Sequence, residues 1–144
     1  MHTKPYLEKN LLLSHLTTIS PVPRVVKTIG DSHLFFAALI KDQTVIVDLI
    51  FRNTLDNFFA FPTDKNLPSF QHISAIKIPP SLYEVIQSDW LNNLENPHNL
   101  KAPAHSHHYI FVFQEAVFEC IAQSISFNFF ENSTVDNAVK NVIK

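Results

Sequence analysis

Glycine is almost missing from this chain, with Gly30 the only one. Phosphate-cradling loops need several residues that adopt positive φ or let a ligand approach the backbone. A dinucleotide-binding fingerprint and a Walker loop are therefore excluded. Cysteine is just as scarce. A lone Cys120 forms no internal disulfide, which fits a reducing compartment. Arg24 and Arg52 are the only arginines among 11 basic residues, the lysines are scattered, and the formal net charge is −2. Duplex binding relies on clustered cations that displace counterions, so neither nucleic acid nor an anionic membrane surface is an expected partner. No apolar run approaches the roughly 20 residues of a spanning helix. The opening residues, Met1 to Asn10, lack the charged-then-apolar order of a secretion signal, which makes the cytoplasm the expected location.

What the chain does have is apolar mass. Hydrophobic residues make up 46% of the 144 positions and charged ones 17%, so disorder is not expected. This length suits one domain, residues 1–144, with a core that needs no disulfide or metal staple. Thirteen phenylalanines imply a core or groove built from aromatic rings.

Periodicity and punctuation give a sequence of elements. Thr3, Pro5 and the spacing of Leu7, Leu11 and Leu12 predict a helix over residues 3–15. Pro21 and Pro23 stop it. Strands follow over 22–29, 32–40 and 44–51, with turns at Gly30-Asp31 and at Lys41-Asp42-Gln43. Residues 52–70 read as an irregular aromatic loop, and 71–78 as a short strand closed by Pro79 and Pro80. Ser81 and Glu84 have capping-box spacing, and Leu82, Ile86, Trp90 and Leu94 make one apolar stripe, which predicts a helix over 81–95. The aromatic and β-branched run from Tyr109 to Phe130 reads as two long strands around a turn at 114–116. A last helix starts at Thr134 or Ser133 and carries Val135, Ala138, Val139, Val142 and Ile143 on one face. The expected class is α+β: an antiparallel sheet of about five to six strands, a meander plus a C-terminal hairpin, with three helices in the order α-β-β-β-β-α-β-β-α.

That order of elements resembles the type III secretion chaperone fold, whose members are small, often acidic and dimeric. The likeness covers element order over most of the chain and no sequence motif. It implies a non-catalytic, dimeric binding protein.

Four features bear on chemistry. His105 and His107 are spaced to share a face of an extended segment, about 7 Å apart, and imidazoles so placed can begin a metal site. A third ligand would come from His98, Glu95 or His72. Phe111 and Val112 stand where a cupin's glutamate would fall, so that analogy fails. Cys120, mid-strand, is expected on an apolar face with Phe118, Ala122, Ile110 and Val112, buried and inert. Under the same three-residue turn, Glu119 shares a face with Phe111, Phe113, Val117 and Ile121, where a carboxylate would be desolvated. The run through Phe58, Phe59, Phe61 and Pro62 is either a contact patch or a lid over the sheet.

The reading is a non-catalytic binding or protein-interaction module with an aromatic groove or dimer face. Its ligand- or partner-binding candidates are Phe58, Phe59, Phe61, Phe111, Phe113 and Glu119. It calls for no cofactor, and its expected partners are a second copy of the chain, a protein partner or a small apolar ligand. The alternative is a small metal-dependent enzyme built on His105 and His107. Self-association is expected because three modest helices are too few to cover both faces of one large sheet.

Overall fold

The computed structural model describes residues 5–66, 68, 81–95 and 105–143. Its framework is two antiparallel sheets of five strands each, packed face to face, with two short α-helices. The coarse α+β, antiparallel expectation holds. Among the described residues the number of strands, the number of helices and their order differ.

One sheet is centred on β4 (Ser32–Ile40) and β5 (Gln43–Arg52). Both strands are apolar on both faces because both faces are covered. Leu34, Phe36, Val47, Leu49 and Phe51 face the second sheet. On the opposite face Phe35 and Ile46 pack under the C-terminal helix, α2 (Val135–Val142). Lys41 and Asp42 join the strands with φ of 48° and 64°, the positive values of a mirror-image turn whose twist matches a hairpin. β10 (Ser124–Glu131) lies on the outer side of β5. Along the far side of β4, β2 (Thr17–Thr18) and β3 (Arg24–Lys27) follow one another.

The second sheet runs β1 (Tyr6–Lys9), β7 (Ser81–Ile86), β8 (His107–Val112), β9 (Val117–Ala122) and β6 (Asp56–Ala60). Its inner face contributes Leu82, Tyr109, Phe111, Phe113, Phe118 and Cys120 to the shared core. Rings interlock across the gap. The Phe36 centroid lies 5.1 Å from that of Phe111 and 5.3 Å from that of Phe113, and Phe51 sits 5.3 Å from Phe118. The two Phe36 pairs are edge-to-face, a geometry that adds to the stabilisation aromatic residues gain from buried area.

Several expectations are corrected. The predicted N-terminal helix is β1 followed by one 3-10 turn, Leu11–Leu13, capped by the Asn10 side chain. The predicted 81–95 helix is β7 and then α1 (Asp89–Glu95). Its stripe of Leu82 and Ile86 fits a strand just as well, and β7 is held by partners on both sides, β1 and β8. Gln87, at φ 61°, ends the strand, and Ser88 is the true cap: its hydroxyl accepts from Leu91 N–H at 3.0 Å. Inside the 52–70 loop, residues Asp56–Ala60 form β6 against β9. The first hairpin turns at Ile29 and Gly30, one residue earlier than expected, with Thr28 N–H donating to Asp31 C=O at 2.9 Å. The apolar run from 117 to 130 is two strands in different sheets. It breaks at Gln123, whose N–H donates to Arg52 C=O at 2.9 Å as the chain crosses the sandwich. The α2 prediction stands, with Thr134 accepting from Asn137 N–H at 3.2 Å. The 71–78 strand lies outside the described residues. With a strand and a 3-10 turn in place of the first expected helix, and a strand in place of the first half of the second, the likeness in element order to type III secretion chaperones disappears.

Candidate functional site

β6 closes one side of the second sheet, and β3 closes the same side of the first. Between these edges the sandwich opens onto an aromatic groove. One hollow of about 660 Å³ is lined by Val25 and Lys27 of β3 and by Asn57, Phe58 and Phe59 of β6. A second, of about 390 Å³, is lined by Val22, Phe59, Ala60, Phe61, Glu115 and Ala116. Phe59 belongs to both, so its ring divides the groove. Alternation along the strand sends Phe58 to the outer face, opposite Glu119, and Phe59 to the inner face, opposite Phe118. Being at an edge, neither is fully covered. Phe58, Phe59 and Phe61 are 37%, 44% and 71% exposed, and Val22 is 44% exposed. The floor is anchored where Glu115 N–H donates to Pro21 C=O at 2.9 Å. A cation at one end, Lys27, and a carboxylate at the other, Glu115, frame a trough whose remaining lining is apolar except for Asn57.

The structure brings Phe58, Phe59 and Phe61 together and leaves Phe111 and Phe113 elsewhere. Those two rings stack at 4.3 Å inside the core. Glu119 shares no face with them. Phe113 N–H donates to Ala116 C=O at 2.8 Å, so the hairpin turns on two residues, Gln114 and Glu115, where three were expected. A slip of one residue exchanges the two faces of a strand. Glu119 therefore sits on the outer face with Val117 and Ile121, and Cys120 lies on the inner face beside Tyr109 and Phe118.

That register builds a buried polar chain. His108 Nε2 lies 2.6 Å from Glu119 Oε1, and His108 Nδ1 lies 2.6 Å from Ser88 Oγ. Trp90 stands edge-on to the imidazole at 5.0 Å. The order of serine, histidine and carboxylate is that of a nucleophile, its base and the base's orienter. Yet Ser88 is only 4% exposed and its oxygen already caps α1. As arranged, the chain ties α1 to β8 and β9. Sequence reasoning missed His108 because neither Gln114 nor Glu115 is a residue that signals a two-residue turn.

A second buried pair, His33 Nδ1 to Asp48 Oδ1 at 2.8 Å, lies on the outer face of the first sheet. His33 stacks on Phe35, their planes within 8°. Between the neighbouring strands β7 and β8, His107 Nδ1 meets Glu84 Oε2 at 2.9 Å. Burial, then the Glu84 carboxylate, then Cys120 push the neighbouring Tyr109 hydroxyl up to about 12. His105 is exposed in a turn with φ 65°. Among the described residues no group of three His, Cys, Asp or Glu is placed to hold a metal ion. His72 and His98 lie outside those residues.

Cys120 is buried, and its thiol is pushed well above its usual range by desolvation and then by the Glu119 carboxylate. It is expected to react with a thiol reagent only after denaturation. The same burial has a consequence at alkaline pH. The native thiol holds its proton to higher pH than the unfolded one, so its contribution is complete below about pH 8.5 and is lost as pH rises. Tyr109 adds a further loss above about pH 10. Urea titrations from pH 7 to 11 should show stability falling, with Cys120→Ala removing the first part of the fall. Rapid labelling of native protein near pH 7 would overturn the buried assignment.

No helix among the described residues is long and apolar enough to cross a membrane. Comparison with known proteins finds no matching family model, no matching curated protein and no matching solved structure.

Proposed function

We propose that the protein is a non-catalytic interaction module that takes an extended apolar segment of a partner protein into the groove between β3 and β6. The single observation that carries this reading is the exposure of Phe58, Phe59 and Phe61 around two adjoining hollows at a sheet edge. Hollows of this size fall within the range of ligand sites. Contiguous exposed aromatic surface usually marks a contact site. Two apolar side chains of an extended partner would enter on either side of the Phe59 ring, while its backbone would pair with the outer edge of β6. No strand among the described residues pairs with that edge. The alternative of a metal-dependent enzyme on His105 and His107 draws no support from the described residues.

Selection from a library of displayed random heptapeptides tests the proposal. Alternating aliphatic and aromatic sequences should be enriched. The double variant Phe59→Ser, Phe61→Ser should bind the winners about 30-fold more weakly, as loss of an aromatic anchor does. Its melting temperature should stay near that of the parent, since both rings are largely exposed. Equal binding by parent and variant, or enrichment of no such sequences, would remove the groove from consideration.

A further inference from the structure

The sandwich removes one argument for a dimer, because the two sheets cover each other's inner faces and α2 covers an outer one. It supplies a different argument, at an edge. Strand edges present unpaired N–H and C=O groups, and proteins protect them with shortness, charge or proline. Two of the edges here are protected: β1 has four residues including Glu8 and Lys9, and β3 has four, with Pro23 just before Arg24 and with Lys27 at its end. β6 has five, and its edge is the one assigned above to the partner segment. β10 is eight residues long, Ser124–Glu131, with no proline, no glycine and one charge, at its last position. Among the described residues nothing pairs with its outer side.

We infer that β10 pairs with β10 of a second copy, antiparallel about a two-fold axis through Phe127, joining two five-stranded sheets into one. A two-fold axis perpendicular to the sheet keeps inner residues opposite inner residues, so only registers that place like faces together are allowed. With Phe127 opposite itself, Ile125 meets Phe129 of the second copy, and both belong to the half-buried apolar row Ile125, Phe127 and Phe129. Glu131 then faces the uncharged Gln123, and no like charges oppose one another.

Polar matching selects this register. In the Phe127-centred register Ser126 lies opposite Asn128 of the second copy, on the same outer face, so two short polar side chains meet. Shifting the axis to Asn128 would set Ser126 against Phe130. The symmetry makes the polar pairing twice.

Sedimentation equilibrium and directed cross-linking test the inference together. The parent chain is expected at twice its 16.5 kDa mass at micromolar concentration. Asn128→Lys places a charge at an exposed position beside the axis and should weaken association about 100-fold, as like charges brought together at an interface do. Its melting temperature at low concentration should match that of the parent monomer. Phe127→Cys should form a disulfide-linked dimer on mild oxidation, since directly opposed Cα atoms lie about 4.5–5.5 Å apart, within disulfide reach. Ile125→Cys, offset from its own copy by four residues, should not. A monomeric parent at about 100 μM, a concentration at which an association of micromolar strength would be nearly complete, would overturn the inference. So would an undiminished Asn128→Lys dimer, or cross-linking at 125 in place of 127.

Discussion

Replacing Phe36 by alanine is expected to cost about 3–5 kcal/mol, the usual range for deleting a large ring from a closed core. Phe36 is fully buried on β4, and its ring meets Phe111 and Phe113 of the opposite sheet. The void would open at the centre of the interface between sheets, where strands held by hydrogen bonds on both sides cannot collapse to fill it. For a chain of this length the melting temperature should fall by about 10 °C. Phe61→Ala provides the contrast. That ring is largely exposed and should change stability by less than about 0.5 kcal/mol. Urea denaturation of both variants decides the matter. Equal midpoints would mean that the two sheets do not pack through Phe36, and the face-to-face arrangement would fall.

The pair His108 and Glu119 should give the second large effect. Both groups are buried, and Glu119→Ala leaves the imidazole without its carboxylate partner, a loss of about 3–5 kcal/mol. Replacing both, as His108→Leu with Glu119→Leu, should recover much of that. A double-mutant cycle should report a coupling of about 2 kcal/mol. Additive single effects would show that the two side chains do not interact. The pair contributes more than stability. Were β8 to slip by one residue against β9, His108 would move into the aromatic interior and Phe111 out of it. A buried ionisable pair makes that mistake costly, so it holds the register on which the core and the polar chain to Ser88 both depend.

How much of this was readable from residues alone differs by element. β4 and β5 were legible almost to their ends because they are long apolar runs separated by a short polar turn. α2 was legible from Thr134 and the spacing of its apolar face. β6 was not, since Asp56–Ala60 shows no alternation: Phe58 and Phe59 are both partly exposed at an edge, and pairing with β9 makes it a strand. Ser81–Ile86 carries a pattern that serves a helix or a strand equally, and its neighbours β1 and β8 settled the choice. The aromatic patch around Phe58 was visible as composition. Its division into two hollows by Phe59 was not, because Val22, Val25 and Ala116 reach it from distant parts of the chain.

By itself, then, the sequence determined what is local or compositional: no phosphate loop with one glycine, an antiparallel α+β class, the central hairpin, the last helix and a buried Cys120. The tertiary structure decided what depends on parity and on distant pairing. A turn of two residues at Gln114 and Glu115 put Glu119 beside His108. The single residue Gln123 moved β10 into the other sheet, where among the described residues its outer edge is unpaired. Neither choice has a strong local signal, because the energy that makes it comes from burying the faces of two sheets against each other, and that energy exists only once the strands have met.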